Sequence, residues 1–344
     1  MRRRTLISAA IGGALSGAVG WHLFGLAPES GSIARGSASP TGLRLYSGAD
    51  LAFGTTISVQ LLHKDQRQAE LAIEDAFHEA KKIDALLSIH SPGSQVFQLN
   101  RDGRLAQPDP HLLVVLEEAR QLSVLSGGAF DITVQPLWLK YTQAVAVNDL
   151  PSGEEIQSAR SFVNWKDVVV DRHQVSLRKP GMAITLNGIA QGYAVDLALA
   201  AVQARGVRHA LLDTGEFISA GVKAADRHWK VGVQDPRHSD ELTTVLQMDG
   251  RSAATSGDYE TTFTPDFVHH HIFDPATGDS PLELASVTVI APTGLLADGL
   301  STALFVMGSD KAMILARQLG KVDVLLVDKK GKVWKTPGLC ESLA

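Results

Sequence analysis

The order of strand-like and helix-like segments constrains the fold more than any other feature of this sequence. Residues 43–62 alternate between apolar and polar side chains, which predicts two strands separated at Gly48 and Gly54. Residues 66–87 then repeat apolar side chains at spacings of three and four, which predicts an amphipathic helix. Because such segments continue without a strict strand–helix–strand alternation, we predict an α+β fold with mixed or antiparallel sheets and packed helices.

The same patterns extend this prediction along the chain. Helices are predicted at 111–128, 192–204 and 296–308, strands at 208–217, 228–236 and 286–294, and a closing hairpin at 322–336. Turn residues predict a loop at 88–103, and a glycine pair at 127–128 predicts a helix stop that is followed by a strand.

The first forty residues have the composition of a targeting segment. MRRR precedes a stretch without charge from Thr5 to Pro28, and small residues follow it. Paired arginines before a Gly- and Ala-rich apolar stretch predict a twin-arginine export signal. We therefore assign residues 1–40 to signal and linker and 41–344 to one domain that works in the periplasm. The alternative is an uncleaved segment that keeps the protein at the inner membrane, since about 20 apolar residues span a bilayer.

Charge and cysteine content exclude several classes of protein. The chain carries a net charge of −5, and its first forty residues contribute +3, so the remaining domain carries −8. A nucleic-acid-binding domain would instead show a basic face. Cys340 is the only cysteine, which excludes an intramolecular disulfide and argues against a cysteine zinc site. Phosphate-binding P-loop, dinucleotide-binding, zinc-protease and serine-hydrolase motifs are absent from the sequence.

Asp298 and Thr302 form the first candidate site. They stand four residues apart on a predicted helix, so their side chains share one face. A carboxylate and a hydroxyl are hard oxygen donors, which suit Mg²⁺ better than zinc. A purely structural alternative is an aspartate near the helix N-terminus and a buried threonine. The spacing by itself favours that alternative.

Three consecutive histidines, His269, His270 and His271, form the second candidate site. They could be a metal cluster, a catalytic base with two neighbours, or a polar surface run. Adjacent side chains of an extended segment point in opposite directions, which argues against a zinc cluster. The glycine-containing segments 127–138, 185–198 and 253–263 are similarly ambiguous, because each could bind a ligand or serve only as a turn.

Considered in order, these segments resemble the motifs of the ApbE family of FAD:protein FMN transferases. The matching stretches are GGAFDITVQPLW, TLNGIAQGYAVD, AATSGDYE, HHHIFDPATG and APTGLLADGLSTALFVMG, and SIHSPGSQVFQLN is similar to an upstream family motif. The resemblance covers about residues 43–335. It implies an ApbE-like architecture with a T-fold-like duplication for residues 41–344.

The resemblance also implies a reaction and its cofactor. Family members bind FAD and Mg²⁺ and transfer the FMN moiety to a threonine hydroxyl of an exported or membrane flavoprotein domain, releasing AMP. In this chain the Mg²⁺ ligands implied are the side chains of Asp298 and Thr302 and the backbone carbonyl of Ala190. His271 alone matches the histidine of the family's His-Ile-x-Asp-Pro motif, and its implied role is general base or orienting group.

The FAD-binding positions implied by the resemblance are Ser88, His90, Phe130, Asp131, Thr185, Asn187, Gln191, Gly192, Ser256 and Asp258. Four of them depart from the family pattern. Thr185 stands where the family has an aspartate, and Asn187 stands where it has a glycine. Gln191 stands where the family has a lysine, and His90 stands where it has an aromatic residue. Because these changes bear on FAD affinity, a non-catalytic FAD-binding protein and an FAD pyrophosphatase of the same fold stay as alternatives. No nucleic-acid partner is expected.

Overall fold

A computed structural model describes residues 33–38, 42–224 and 227–342. The predicted export segment and most of the linker therefore lie outside the described residues. The helices are α1 Gln66–Leu87, α2 Gln95–Asp102, α3 Pro110–Leu125, α4 Gln135–Val145, α5 Gly153–Arg160, α6 Ala190–Ala204, α7 Gly294–Met307 and α8 Ser309–Leu319. In this part of the chain, no helix is long and apolar enough to cross a membrane.

The strands are β1 Ile33–Ala38, β2 Arg44–Ala52, β3 Thr55–His63, β4 Arg104–Ala106, β5 Val168–Val170, β6 Gln174–Leu177, β7 His209–Asp213, β8 Phe217–Ala220, β9 Trp229–Gln234, β10 Leu242–Met248, β11 Ser252–Gly257, β12 Leu284–Ala291, β13 Asp323–Asp328 and β14 Val333–Lys335. Nine of the described strands form one sheet in the order β1-β2-β3-β7-β8-β11-β12-β13-β14. Neighbouring strands of this sheet pair antiparallel throughout. This confirms the predicted α+β fold.

The central sheet separates two apolar layers. In β13, Val324 and Leu326 are buried against residues of the helices, whereas Leu325 between them is buried with the two-stranded ribbon β9–β10. Successive strand side chains point to opposite faces, so an unbroken apolar strand requires cover on both sides. Trp229, which is fully buried, is the largest side chain that the ribbon contributes to its layer.

Helices α6 and α7 lie at the centre of the helical layer and touch through glycines. A Cβ atom added to Gly294 would lie 2.3 Å from the carbonyl oxygen of Gly192, and one added to Gly192 would lie 2.1 Å from the carbonyl oxygen of Gly294. The Asp196 carboxylate then accepts hydrogen bonds from the backbone N–H groups of Gly294 (2.6 Å) and Leu295 (2.9 Å). These two amides belong to the first turn of α7, which has no intrahelical partner for them.

Several local predictions are confirmed and others are wrong. Helix α1 has the predicted bounds, but Gly48 lies inside β2, and the turn to β3 is at Phe53 and Gly54. Residues 88–103, predicted as a loop, contain α2, whose N-cap is Ser94. The strand predicted after the 127–128 glycine pair is instead a 3-10 turn that leads into α4. Residues 33–38 of the predicted linker form β1 at the sheet edge.

The close approach of α6 and α7 predicts a stability effect. We expect Gly294→Ala to lower the free energy of unfolding by about 1–3 kcal/mol, because the new methyl group has to push the two backbones apart. Gly153→Ala in α5 is the matched control, since a Cβ there meets no atom within 4 Å. Urea unfolding monitored by circular dichroism measures both, and equal midpoints for the two variants would contradict the packing argument.

Candidate functional site

The three predicted metal ligands lie together where α6 begins beside α7. The backbone N–H of Gly192 donates to Asp298 Oδ2 at 2.9 Å. A Cβ atom on Gly188 would lie 2.8 Å from Thr302 Oγ1. Ala190 stands between these two glycines in the sequence, so its backbone lies between the two contacts. The i, i+4 pair on α7 therefore faces the start of α6.

The end of strand β11 adds a further hydroxyl to this group. Ser256 Oγ lies 2.7 Å from Ser301 Oγ and 3.2 Å from Thr302 Oγ1. Ser301 also donates to the backbone carbonyl of Asp298 at 2.8 Å. The resemblance identified Ser256 as an FAD-binding position, and the structure places its hydroxyl beside the implied metal ligands.

Carboxylates accumulate at the same place. Burial, together with the charge of Asp196, raises the pKa of Asp298 to about 7. Burial also raises the pKa of Glu216 well above its usual value, with the charge of Asp298 as the next cause. Asp213, at the end of β7, has a pKa raised to about 7 by burial. Glu216 directly follows the turn at Thr214 and Gly215.

This donor set fits a hard cation. In the described parts of the chain, no three His, Cys, Asp or Glu side chains are arranged to hold a metal ion by themselves. A cation between α6 and α7 would therefore depend on hydroxyl and carbonyl oxygens in addition to Asp298. Oxygen-only coordination and repelling carboxylates suit Mg²⁺ rather than zinc.

Position 191 contacts the turn between β7 and β8. Gln191 Nε2 donates to the carbonyl oxygen of Thr214 at 3.0 Å, and Thr214 Oγ1 donates to the carbonyl oxygen of Gln191 at 2.9 Å. Gly215 adopts a φ of +100°, and a Cβ atom on it would lie 2.1 Å from Gln191 Nε2. The glutamine thus locks the turn that carries Asp213 and Glu216.

A second set of predicted FAD positions lies around the 130–134 segment. Asp131 is buried, and its carboxylate accepts hydrogen bonds from Thr133 N at 2.8 Å and from Trp165 N at 3.0 Å. Thr185 N donates to the carbonyl oxygen of Ile132 at 2.8 Å, which ties this segment to the loop before α6. Asp131 therefore shapes the backbone beside the site.

The remaining positions of that set differ in exposure. Phe130 is buried in the core. Ser88 caps the end of α1, and its hydroxyl accepts from the backbone N–H of His90 at 3.1 Å. The exposed ring of His90 lies edge-on to Trp138, with ring centroids 6.3 Å apart. Asn187 is exposed, and its backbone N–H donates to the Thr185 hydroxyl.

The three consecutive histidines have three different environments. His269 Nδ1 lies 2.8 Å from Asp279 Oδ1. His270 is fully buried, and its edge faces the Phe305 ring of α7. His271 lies within reach of the Thr261 backbone carbonyl. Each of the three side chains therefore has a separate partner.

Their partners define opposite tautomers for His270 and His271. His270 Nδ1 accepts from the backbone N–H of Ile272 at 3.3 Å, and its Nε2 faces the carbonyl oxygen of Pro281, so the proton is on Nε2. His271 Nδ1 faces the carbonyl oxygen of Thr261 at 3.2 Å, so the proton is on Nδ1 and Nε2 keeps its lone pair. Burial lowers the pKa of His271, which favours this neutral form.

Comparison with known proteins identifies the family of this chain. The ApbE family matches this chain over residues 53–326. The chain belongs to the ApbE family. The predicted resemblance and architecture are thereby confirmed.

Two curated relatives cover most of this ApbE chain. The FAD:protein FMN transferase of Treponema pallidum is 31% identical over 324 residues, covering 87% of this chain and 89% of the relative. The FAD:protein FMN transferase of Escherichia coli K12 is 31% identical over 290 residues, covering 79% and 81%.

Solved ApbE structures share the fold. The ApbE protein of Thermotoga maritima aligns with a TM-score of 0.74 at 29% identity, covering 85% of this chain and 97% of its own. The flavinyl transferase ApbE of Pseudomonas stutzeri, in its apo form, aligns with a TM-score of 0.74 at 28% identity, covering 86% and 94%.

The buried His270 makes stability depend on pH. Burial lowers its folded-state pKa to about 3, whereas an unfolded histidine titrates near pH 6.5. Between about pH 6.5 and pH 3, His270 is protonated in the unfolded state and neutral in the folded state. The free energy of unfolding should therefore fall by up to about 1.4 kcal/mol per pH unit between roughly pH 6 and pH 3.

Comparison of two histidine variants measures this contribution. His270→Gln should flatten the slope of unfolding free energy against pH, while His228→Gln, at an exposed position, should leave the wild-type slope. Urea unfolding at a series of pH values provides the curves. A slope in His270→Gln as steep as that of wild type would refute the assignment to His270.

Proposed function

We propose that this chain is an FAD:protein FMN transferase that uses Mg²⁺ and attaches FMN to a threonine hydroxyl of an exported flavoprotein domain. The observation that carries the proposal is the meeting of the α6 start with Asp298 and Thr302, in a chain of the ApbE family. Two relatives that cover most of this chain are named for this transferase activity, which supports the same conclusion.

The proposed reaction breaks the pyrophosphate of FAD. The threonine oxygen forms a bond to the phosphorus of the FMN moiety, the bond from that phosphorus to the bridging oxygen breaks, and AMP leaves with that oxygen. Asp298, Thr302 and the Ala190 carbonyl would hold the cation, which neutralises charge on the phosphate oxygens when bound. The rest of the chemistry is the removal of one proton from the hydroxyl.

His271 is suited to accept that proton. Its Nδ1 is committed to the Thr261 carbonyl, which leaves the lone pair of Nε2 for the hydroxyl. A neutral imidazole is required for this role, and burial lowers the pKa of His271 and so keeps it neutral near pH 7. Nδ1 holds the ring while Nε2 takes the proton.

We also propose that the protein works in the periplasm. The support is the arginine pair and the uncharged apolar stretch of residues 1–40, which lie outside the residues that the structure describes apart from β1. An exported enzyme would meet an exported or membrane-bound flavoprotein domain as its acceptor. Contact with the membrane would then involve only the N-terminal segment, if that segment is retained.

Replacement of the aspartate tests the metal site. We expect Asp298→Asn to reduce Mg²⁺-dependent transfer by at least about 100-fold, because the amide removes the one charged ligand while preserving the side-chain shape. The full-length chain is incubated with FAD, MgCl₂ and an exported flavoprotein domain, and AMP release and flavin fluorescence of the denatured acceptor are followed. Asp310→Asn, at an exposed position on α8, is the control. Undiminished turnover in Asp298→Asn would remove the metal assignment.

Replacement of the histidine tests the base. We expect His271→Gln to lower kcat by about 10²–10⁴-fold, the usual contribution of a general base, while FAD affinity changes by less than about threefold. His269→Gln is the control, because its ring bonds to Asp279 instead of facing Thr261. A kcat within a factor of two of wild type would exclude His271 as the base.

The wild-type reaction separates the two alternative functions from the proposed one. Labelled acceptor with an equal amount of AMP supports the transferase. AMP and free FMN without labelled acceptor would favour an FAD pyrophosphatase. Tight FAD binding with no AMP would favour a binding protein, consistent with the glutamine at position 191.

A further inference from the structure

The segment from Asp258 to His271 connects β11 to the base proposed above. It contains little regular structure, since only isolated bridges such as Thr262 to His270 occur within it. Its own backbone hydrogen bonds, such as those from Phe263 N to His269 O at 2.7 Å and from His271 N to Thr261 O at 3.0 Å, join its two halves to each other. Its position against the rest of the fold depends in addition on side chains that reach it from elsewhere.

Two cations reach the beginning of this segment. Asp258 is fully buried, and both of its carboxylate oxygens accept from the guanidinium of Arg237 at 2.8 Å. Lys329 Nζ lies 3.5 Å from Asp258 Oδ2. Arg237 follows strand β9, and Lys329 lies in the turn between β13 and β14. Two distant parts of the chain thus meet on one buried carboxylate.

The same two cations reach a second point of the segment. The Arg237 guanidinium lies 4.4 Å from the centroid of the Phe267 ring, and Lys329 Nζ donates to the Phe267 carbonyl oxygen at 2.5 Å. Phe267 has a φ of +60°, which a residue other than glycine adopts only when its surroundings hold it there. Each cation therefore bridges Asp258 and Phe267.

His271 is fixed from within the bridged region. Its backbone N–H donates to the Thr261 carbonyl at 3.0 Å, and its Nδ1 contacts the same oxygen. Thr261 lies between Asp258 and Phe267 in sequence. The position of this carbonyl therefore depends on the two bridged points, and the ring of His271 depends on the carbonyl.

We propose that Arg237 and Lys329 form a two-cation clamp on Asp258 and Phe267 that positions His271 for proton transfer. This inference rests on the function proposed above, because it takes His271 as the base. Arg237 and Lys329 are positioning residues: they contact the segment, and they act on the reaction through the orientation of the His271 ring. A misplacement of about 1 Å in a reacting group lowers rates by about 100-fold.

The clamp also has an electrostatic consequence. The negative charge of Asp258 raises the pKa of His271, in opposition to the effect of burial. Arg237 and Lys329 offset that charge while they bind it. Loss of Arg237 should therefore move the pKa of His271 upward, and the acidic limb of the kcat profile should move to higher pH with it. A variant that is merely less stable would not move this limb.

Kinetic variants test the clamp in the full-length protein with FAD, MgCl₂ and the acceptor domain. We expect Arg237→Gln and Lys329→Met each to lower kcat by about 10- to 100-fold, with less than about a threefold change in KM for FAD. Arg237→Lys should retain more activity, since it keeps the positive charge although it loses the second hydrogen bond and the guanidinium contact with the Phe267 ring. Millimolar guanidinium should partly restore Arg237→Ala, because the side chain is 27% exposed and its site is open to solutes.

A second arginine provides the matched control. Arg251 is also partly buried and binds two carboxylates, Asp249 and Asp323, at 2.8 and 2.7 Å. Arg251→Gln should lower thermal stability as Arg237→Gln does, but leave kcat and its pH profile as in wild type. Equal kcat losses in both variants, or no rescue by guanidinium, would overturn the clamp and leave a general effect on stability.

A spectroscopic measurement is independent of turnover. In ¹⁵N-histidine-labelled protein, the His271 resonance is identified by its loss in His271→Gln, and its two-bond couplings report which nitrogen carries the proton. Wild type should show the Nδ1–H form, and Arg237→Gln should show a mixture with a raised titration midpoint. An unchanged tautomer and midpoint in Arg237→Gln would refute the clamp. If this signature changes but wild type releases no AMP, the proposed function fails and the clamp stands.

Discussion

The contact between the backbones of α6 and α7 is the constraint on which the site depends. Gly192 and Gly294 approach each other so closely that neither position has room for a Cβ atom. Because of this approach, the first turn of α6 lies against the N-terminal half of α7, and Ala190 lies between the residues that contact Asp298 and Thr302. The residues that set this distance are separated by about a hundred positions in the sequence, and α7 follows directly after β12 of the large sheet.

Buried carboxylates lie beside this contact. Asp298, Glu216 and Asp213 all have raised pKa values because burial disfavours their charged forms. Above the pKa of an unfolded carboxyl, the unfolded state loses its protons more readily than the folded state, so these groups oppose folding at neutral pH. Buried carboxylates with raised pKa values are typical of functional sites, where a residue is kept for its chemical role although it lowers stability. A bound cation would offset the repulsion between the carboxylates.

Much of the fold and part of the site could be predicted from the sequence. The amphipathic pattern of residues 66–87 defined α1, and the four-residue spacing of Asp298 and Thr302 predicted a shared face. Local patterns could not show that Gly188 and Gly192 bring α6 against that face, because the contact is tertiary. The contacts of Arg237 and Lys329 could not be predicted for the same reason, since each side chain binds a partner that is far away in sequence. The strand predicted after Gly128 was wrong because Asp131 caps a turn, where its carboxylate holds two backbone amides.

Because His270 and His271 have opposite tautomers, protonation affects the hydrogen bonds of the two rings differently. Protonation of His270 would put a hydrogen on Nδ1, which could then no longer accept the hydrogen bond from the backbone N–H of Ile272. The backbone at Ile272 would be disturbed. His271 donates from Nδ1 whether or not Nε2 carries a proton, so its bond to Thr261 survives both states. A base at the position of His271 would therefore gain and lose its proton on Nε2 while the hydrogen bond from Nδ1 is retained. The ring of His270 supports the local backbone, and the ring of His271 keeps its position whether or not Nε2 carries a proton.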